Sequence, residues 1–391
     1  MRVDVQNKTF DIKNYVNFCK AAAITMIAFW HYYYVLTYGD SLDLLKTGGI
    51  AGTLEKFPVS GFFGGMESLF MTILGLGGYL ARFFIIASGF GLYLSYLRRK
   101  DKWSVFYKKR AVRILPLYWA AVVLIYVFHK YDVPGNEASK VFIYHLLLVQ
   151  TYTKYSLAYG ALWFVGYIAQ LYLLFPVIVK FFKTRGSKIL LIIFSLFGNI
   201  VVAKIVTAAG FEPQGKPPTE YLVCFVFGML LAEGMYGQKD YFKKMFSPIY
   251  LPVFITCAAL LIFFLNNYGF FYGDVSTNLF LILLFLILYW PFRIAAAVLP
   301  AFLDISKTLS YGSFVVFLSH QSLNGVFLEF LLRHRLAKYA IYGGSIVQVP
   351  SLENALLEVP IFIITFLISL SVQAGYDYIS GGALKRLDNH R

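Results

Sequence analysis

Charge is what this chain has least of. Asp, Glu, Lys and Arg make up 14% of its 391 residues, where soluble domains carry roughly a quarter, and that shortfall excludes an ordinary water-soluble enzyme. Acidic residues are the scarcer sign, 20 against 35 basic ones. The three cysteines, Cys19, Cys224 and Cys257, fall in or beside apolar runs. Their spacing fits no zinc site and implies no disulfide framework, so they read as small residues in packed helices. Also missing are a nucleophile elbow, a His-Glu-x-x-His helix, a Gly-rich phosphate loop and a dinucleotide fingerprint. Any chemistry must therefore be built across helices. No internal repeat is visible, which counts against the repeat-built transporters. The opening polar stretch runs into an apolar segment with no small-residue cleavage pattern, and reads as an uncleaved first span.

Apolar residues fill the gap that charge leaves. The chain is 59% hydrophobic and 19% aromatic, with 39 Phe and 30 Tyr, the make-up of packed membrane helices with interfacial belts. Runs of roughly 17–25 apolar residues are candidate spans. About ten lie near 15–37, 69–97, 113–129, 161–182, 188–209, 220–236, 249–268, 276–293, 308–332 and 354–376. The run 140–152 is apolar but too short to cross, and suits a re-entrant or interfacial piece. With both termini inside, the inner segments carry 24 of the 35 Lys and Arg, as the positive-inside rule requires. The outer segment 333–353, with Arg333, Arg335 and Lys338, is the exception. The expected fold class is thus an all-α membrane bundle of about ten helices without a soluble domain. It divides into a cytoplasmic segment 1–14, a membrane domain 15–376 and a cytoplasmic tail 377–391. The net charge of +15 belongs mostly to the inner loops, so membrane lipids rather than nucleic acid are the expected partners.

Within this apolar frame a few ionisable residues stand out, because burying them in a bilayer is costly and such residues are commonly functional. The first span holds Lys20 and His31, eleven residues apart. That is about three helical turns, so they share a face some 16 Å apart along the axis. Histidine is the side chain best suited to moving protons near neutral pH. The second span carries Arg82, then Ala87-Ser88-Gly89-Phe90-Gly91, whose small residues let a neighbouring backbone come close. The run Lys108-Lys109-Arg110-Ala111-Val112-Arg113-Ile114-Leu115-Pro116 places two arginines on one helical face where a basic loop is expected to become a membrane helix, with Pro116 near its first turn. A guanidinium fork suits phosphate. Later come Gln170 and Tyr172 in one span, and Ser310, Tyr311, His320 and Gln321 in another.

Taken in order, these segments resemble the membrane-bound acyltransferase family 3, whose members O-acylate O-antigen, peptidoglycan and other extracytoplasmic glycans. The resemblance runs from about residue 13 to 376 and is carried by several stretches. These are Lys20 and His31; Phe83-Phe84 with Ser88-Gly89-Phe90; Arg110, Arg113, Ile114 and Pro116; Leu162-Trp163 with Tyr172 to Pro176; and Ser310-Tyr311 with His320-Gln321. Two departures are plain. Lys20 stands where Arg is commoner, and Ile168-Ala169 replace a frequent Glu-Glu pair. No extracytoplasmic hydrolase-like domain of the kind fused to some members is expected beside the membrane domain.

The resemblance implies an O-acyltransferase of the cell membrane. It would move an acyl group, with acetyl expected, from cytoplasmic acyl-coenzyme A to a hydroxyl of an extracytoplasmic glycan. Arg110 and Arg113, aided by Lys20, would hold the donor's phosphates. His31 would act as general base or as acyl-accepting nucleophile. Arg82, Ser88 and His320 are candidates for the oxyanion or the acceptor, and Glu67 for an acidic partner of His31. No metal is implied. The main rival is a transporter or flippase for a glycan or lipid-linked sugar, which would share the spans and buried charge without needing a basic pair aligned with a histidine.

Overall fold

The described residues of the apolar runs are largely helical, as a backbone in lipid must satisfy its own polar groups. The computed structural model describes residues 5–35, 74–129, 137–153, 155, 158–209, 217–268, 273–333, 339–342, 345–348 and 352–389. In chain order the longer elements are α1 (Val5–Phe29), continued by a π turn (Trp30–Val35), α2 (Ala81–Arg99) and α3 (Trp103–His129). There follow α4 (Ala138–Leu146), α5 (Trp163–Phe181), α6 (Arg185–Ala208) and α7 (Leu222–Tyr236). Then come the short α8 (Asp240–Met245), α9 (Leu251–Tyr268), α10 (Gly273–Ile287), α11 (Tyr289–Val298) and α12 (Phe302–Arg333). The last helix is α13 (Leu352–Asn389). Among the described residues six stretches are long and apolar enough to cross a membrane on those grounds alone: 76–99, 103–128, 160–181, 185–202, 275–298 and 358–384. Large apolar side chains such as Leu124, Leu173, Phe197, Phe263 and Leu367 stay exposed on several helices, as expected of surfaces that face lipid tails.

The all-α expectation needs one amendment. Two short strands, β1 (Tyr339–Tyr342) and β2 (Ser345–Gln348), form an antiparallel hairpin in which Tyr339 pairs with Gln348. They lie in the segment whose basic residues fit the expected topology least well. Tyr, Ile and Val favour a pleated backbone once a chain leaves the helical region.

The chain forms two compact units. One comprises residues 1–87 and 237–370, the other 88–236 and 371–391. The first is centred on Tyr15. Its ring lies 4.9–5.2 Å from those of Phe285, Tyr289 and Phe292, and its hydroxyl donates to the Phe285 carbonyl. Within this unit α1 and α12 run side by side in the same direction. Lys20 meets Ser310 at one level and His31 meets His320 further along. The segment 138–152 forms only short helices, α4 and a 3-10 turn at Gln150–Tyr152.

The second unit is centred on Phe175, against which Phe106, Trp103 and Phe225 pack with ring centres 5.3–6.1 Å away. Gly89 brings α2 against α7 closely enough that an added Cβ would sit 2.1 Å from the Phe225 carbonyl oxygen. This is the close approach read from the small residues of the second span. Gly91, by contrast, faces open space. The segment 138–162 is fastened by buried polar groups. The Tyr118 hydroxyl donates to the His145 carbonyl at 2.8 Å, and the Gln150 amide donates to Tyr118 and to the Leu162 carbonyl at 3.1 and 3.3 Å. Gln170 is a structural residue here: it donates to Thr151 at 2.6 Å and accepts from Tyr152 at 2.7 Å.

Several boundaries differ from expectation: α1 begins at Val5 rather than near 15, and α13 runs to Asn389 rather than ending near 376. The third span begins at Trp103, not near 113, so Arg110 and Arg113 lie in the second and third turns and Pro116 lies inside the helix. Trp103 extends the helix because its ring stacks on Tyr96 and meets Phe106 and Phe175. Pro116 has no N–H for the carbonyl of Val112, four residues back. The Tyr376 hydroxyl donates to that carbonyl instead, so an interior proline is tolerated.

Candidate active site

The candidate residues fall into two groups, one in each unit. In the first, α1 changes from an α-helix to a π turn at Trp30. Such turns are rare and concentrate at functional positions. Gly77 and Gly78 pack directly on this turn, where added Cβ atoms would come within 2.5 Å of Trp30 Cβ and 2.9 Å of its ring. The turn presents His31 to α12. Its Nδ1 lies 2.9 Å from the Ile27 carbonyl oxygen and 3.1 Å from His320 Nε2. The Nδ1 of His320 lies 3.0 Å from the carbonyl oxygens of both Val316 and Phe317. His320 is fully buried, and the Trp30 ring meets His31 edge-on with centroids 4.5 Å apart. Two histidines that are 289 residues apart in sequence are thus in direct contact.

Lys20 is engaged within the same unit, donating to the Ser310 carbonyl at 3.2 Å, while the Ser310 hydroxyl donates to Asn17 at 3.1 Å. Arg82 is also engaged. Its Nε donates to Asn278 at 2.6 Å and its guanidinium lies over the Tyr79 ring at 5.6 Å. Both bonds suit a side chain that fastens helices. Glu67 lies outside the described residues. A carboxylate that the sequence reading passed over is Glu358, fully buried near the start of α13 and within electrostatic reach of Tyr32. Tyr32 in turn donates to Thr365 at 3.2 Å. The signal was available: Glu358 interrupts an apolar run, where an acidic residue is expensive.

The second group lines a cleft between the end of α2 and the first turns of α3. Ser95, Tyr96, Arg99, Asp101, Trp103, Phe106, Lys109, Arg110 and Arg113 surround it. At about 60 Å³ it is far smaller than the several hundred Å³ that a whole ligand fills, and suits a single group such as a phosphate. Lys109 is held by Asp101 at 2.7 Å. Arg110 lies over the rings of Phe106 and Tyr172 at 5.5 and 6.0 Å, and its buried Nε meets no hydrogen-bond acceptor among the described residues. Three arginines and one lysine thus face one carboxylate, leaving the cleft cationic. Arg110 and Arg113 line it together, as their shared face predicts. Ser88 belongs to this unit, where the Tyr172 hydroxyl donates to it at 3.5 Å. The aromatic wall of Tyr96 and Trp103, with planes 7° apart, was not singled out from the sequence. Its members lie on either side of the α2–α3 connection and meet only in the fold.

Among the described residues no group of His, Cys, Asp or Glu is arranged to hold a metal ion. A family model described as an acyltransferase domain matches residues 13–373, nearly the whole chain. No curated protein and no solved structure matches it.

Proposed function

Because the chain belongs to the acyltransferase domain family whose model covers residues 13–373, we propose that it moves an acyl group from acyl-coenzyme A to a hydroxyl of an extracytoplasmic glycan, with His31 as the general base. The multi-pass helices support a membrane enzyme, and the weighting of Lys and Arg supports a cell membrane with both termini cytoplasmic. The observation that carries the reading is the contact between His31 and His320 at a π turn.

The donor is assigned to the cationic cleft by chemistry. Coenzyme A carries several phosphates, and Arg113, Arg110 and Arg99 line a space of phosphate size. Asp101 orients Lys109 and tempers the positive charge without cancelling it. Acyl transfer then balances without a metal. The His31 imidazole takes the proton of the acceptor hydroxyl as that oxygen bonds to the thioester carbonyl carbon. The carbon–sulfur bond breaks, and the departing thiolate recovers the proton from His31. Arg82, Lys20 and Ser88 take positioning roles in this scheme, as their existing hydrogen bonds suggest. Acetyl is the acyl group proposed, as the family resemblance leads one to expect.

The test is label transfer from radiolabelled acetyl-coenzyme A to extracted envelope polysaccharide by the purified protein. Wild-type protein is expected to label the polysaccharide and His31→Ala to leave it blank. Equal labelling by both would refute His31 as base. Absence of labelling by wild-type protein, together with uptake of polysaccharide into vesicles, would favour the transport reading.

A further inference from the structure

We propose that His320 is a positioning residue that locks His31 into the tautomer with hydrogen on Nδ1, making His31 Nε2 the reacting nitrogen. The inference rests on His31 being the base. It starts from the two ends of the pair, where the partners are unambiguous.

The Nδ1 of His320 faces the carbonyl oxygens of Val316 and Phe317, both at 3.0 Å. Carbonyls only accept, so this nitrogen carries a hydrogen. In a neutral imidazole the other nitrogen is then a bare lone pair. That nitrogen, His320 Nε2, lies 3.1 Å from His31 Nδ1. Two lone pairs do not face each other at that distance, so His31 Nδ1 carries a hydrogen as well. The Ile27 carbonyl oxygen, 2.9 Å from the same atom, makes the same demand. Two independent acceptors therefore fix one tautomer, and the lone pair of His31 is on Nε2.

The consequence is chemical. When Nε2 takes a proton from the acceptor hydroxyl, the positive charge spreads to Nδ1–H, which already points at two acceptors. In many enzymes a carboxylate occupies the far side of the catalytic imidazole. Here a neutral imidazole and a backbone carbonyl do so, which spares the membrane interior a fixed negative charge beside the ring. The Trp30 ring, edge-on to His31, and the Phe317 ring, 5.8 Å from His320, hold the two imidazoles in place.

The test reads the tautomer directly and the kinetics beside it. Nitrogen-15 spectra of imidazole-labelled full-length protein are expected to show His31 with hydrogen on Nδ1 and none on Nε2. In His320→Ala only the Ile27 carbonyl enforces the tautomer. We expect kcat for acetyl-coenzyme A to fall roughly 100-fold, within the range for general acid–base groups, with KM for the donor unchanged. His320→Gln places an amide oxygen where Nε2 stood and is expected to recover most of that loss. A spectrum with His31 Nδ1 bare overturns the proposal. So does a His320→Ala enzyme with wild-type kcat, or a Gln variant no better than Ala. If His320→Ala does not fold, the spectrum of wild-type protein and the kcat of the Gln variant still decide. An active His31→Ala enzyme would instead reject the reading on which this rests, while leaving the spectrum to decide the tautomer.

Discussion

His31 and His320 carry no fixed charge and have three of their four ring nitrogens matched to carbonyls or to each other. Arg99, Lys109, Arg110 and Arg113, by contrast, gather positive charge around a single carboxylate, Asp101. On the proposed function, the contrast follows from what each place would have to do. A group that takes up and returns a proton inside a membrane is least costly when neutral at rest. A group that holds a phosphate must be charged and must keep donors in reserve for it. The two groups are therefore separable by experiment: damage to the histidines should stop turnover, and damage to the cleft should weaken the hold on the donor.

The largest expected effect lies on the histidine side. His31→Ala should cost about 10²–10⁴-fold in kcat, measured by product formed at saturating donor, with unaltered folding in membranes as the control. On the other side, Arg113→Ala should raise KM for acetyl-coenzyme A by about 10–100-fold with kcat nearly intact, since a lost charged hydrogen bond is worth roughly 1.5–3 kcal/mol. Arg113→Lys sharpens the point. If the guanidinium fork matters, restoring charge alone should recover only part of the affinity. Equal effects of Arg113→Ala on kcat and on donor affinity would blur the contrast.

Two further substitutions touch the frame rather than the chemistry. Gly89→Val would drive side-chain atoms into the Phe225 carbonyl, and overpacking of this kind costs about 1–3 kcal/mol. The expected result is a lower melting temperature in detergent and less protein recovered from membranes. Tyr376→Phe removes the donor that serves the Val112 carbonyl left open by Pro116. It should cost about 1 kcal/mol and leave the kinetics of donor binding close to wild type.

What could be read from the residues and what could not divide along the same lines. Hydropathy located the long apolar helices, six of which among the described residues are long and apolar enough to cross a membrane, because each obeys a local requirement of the bilayer. The small-residue stretch at Gly89 likewise announced a close helix contact. The start of α3 was misplaced because the ring contacts that extend it come from Tyr96 and Phe175. Pro116 reads as a helix-start residue in the sequence because the donor that compensates for it, Tyr376, lies 264 positions from the Val112 carbonyl it serves. His31 and His320 were each marked by burial cost, yet nothing local says that they touch. Glu358 was overlooked although its setting was legible, a lone carboxylate in an apolar run. The chemical character of the site was thus in the residue types, and its pairing was in the fold.

Donor binding and transfer measured on one preparation of His31→Ala in membranes test the division of labour most directly. A base at His31 requires acetyl-coenzyme A to bind with wild-type affinity while no acetyl group reaches the glycan. Transfer at the wild-type rate, or loss of donor binding along with transfer, would contradict it.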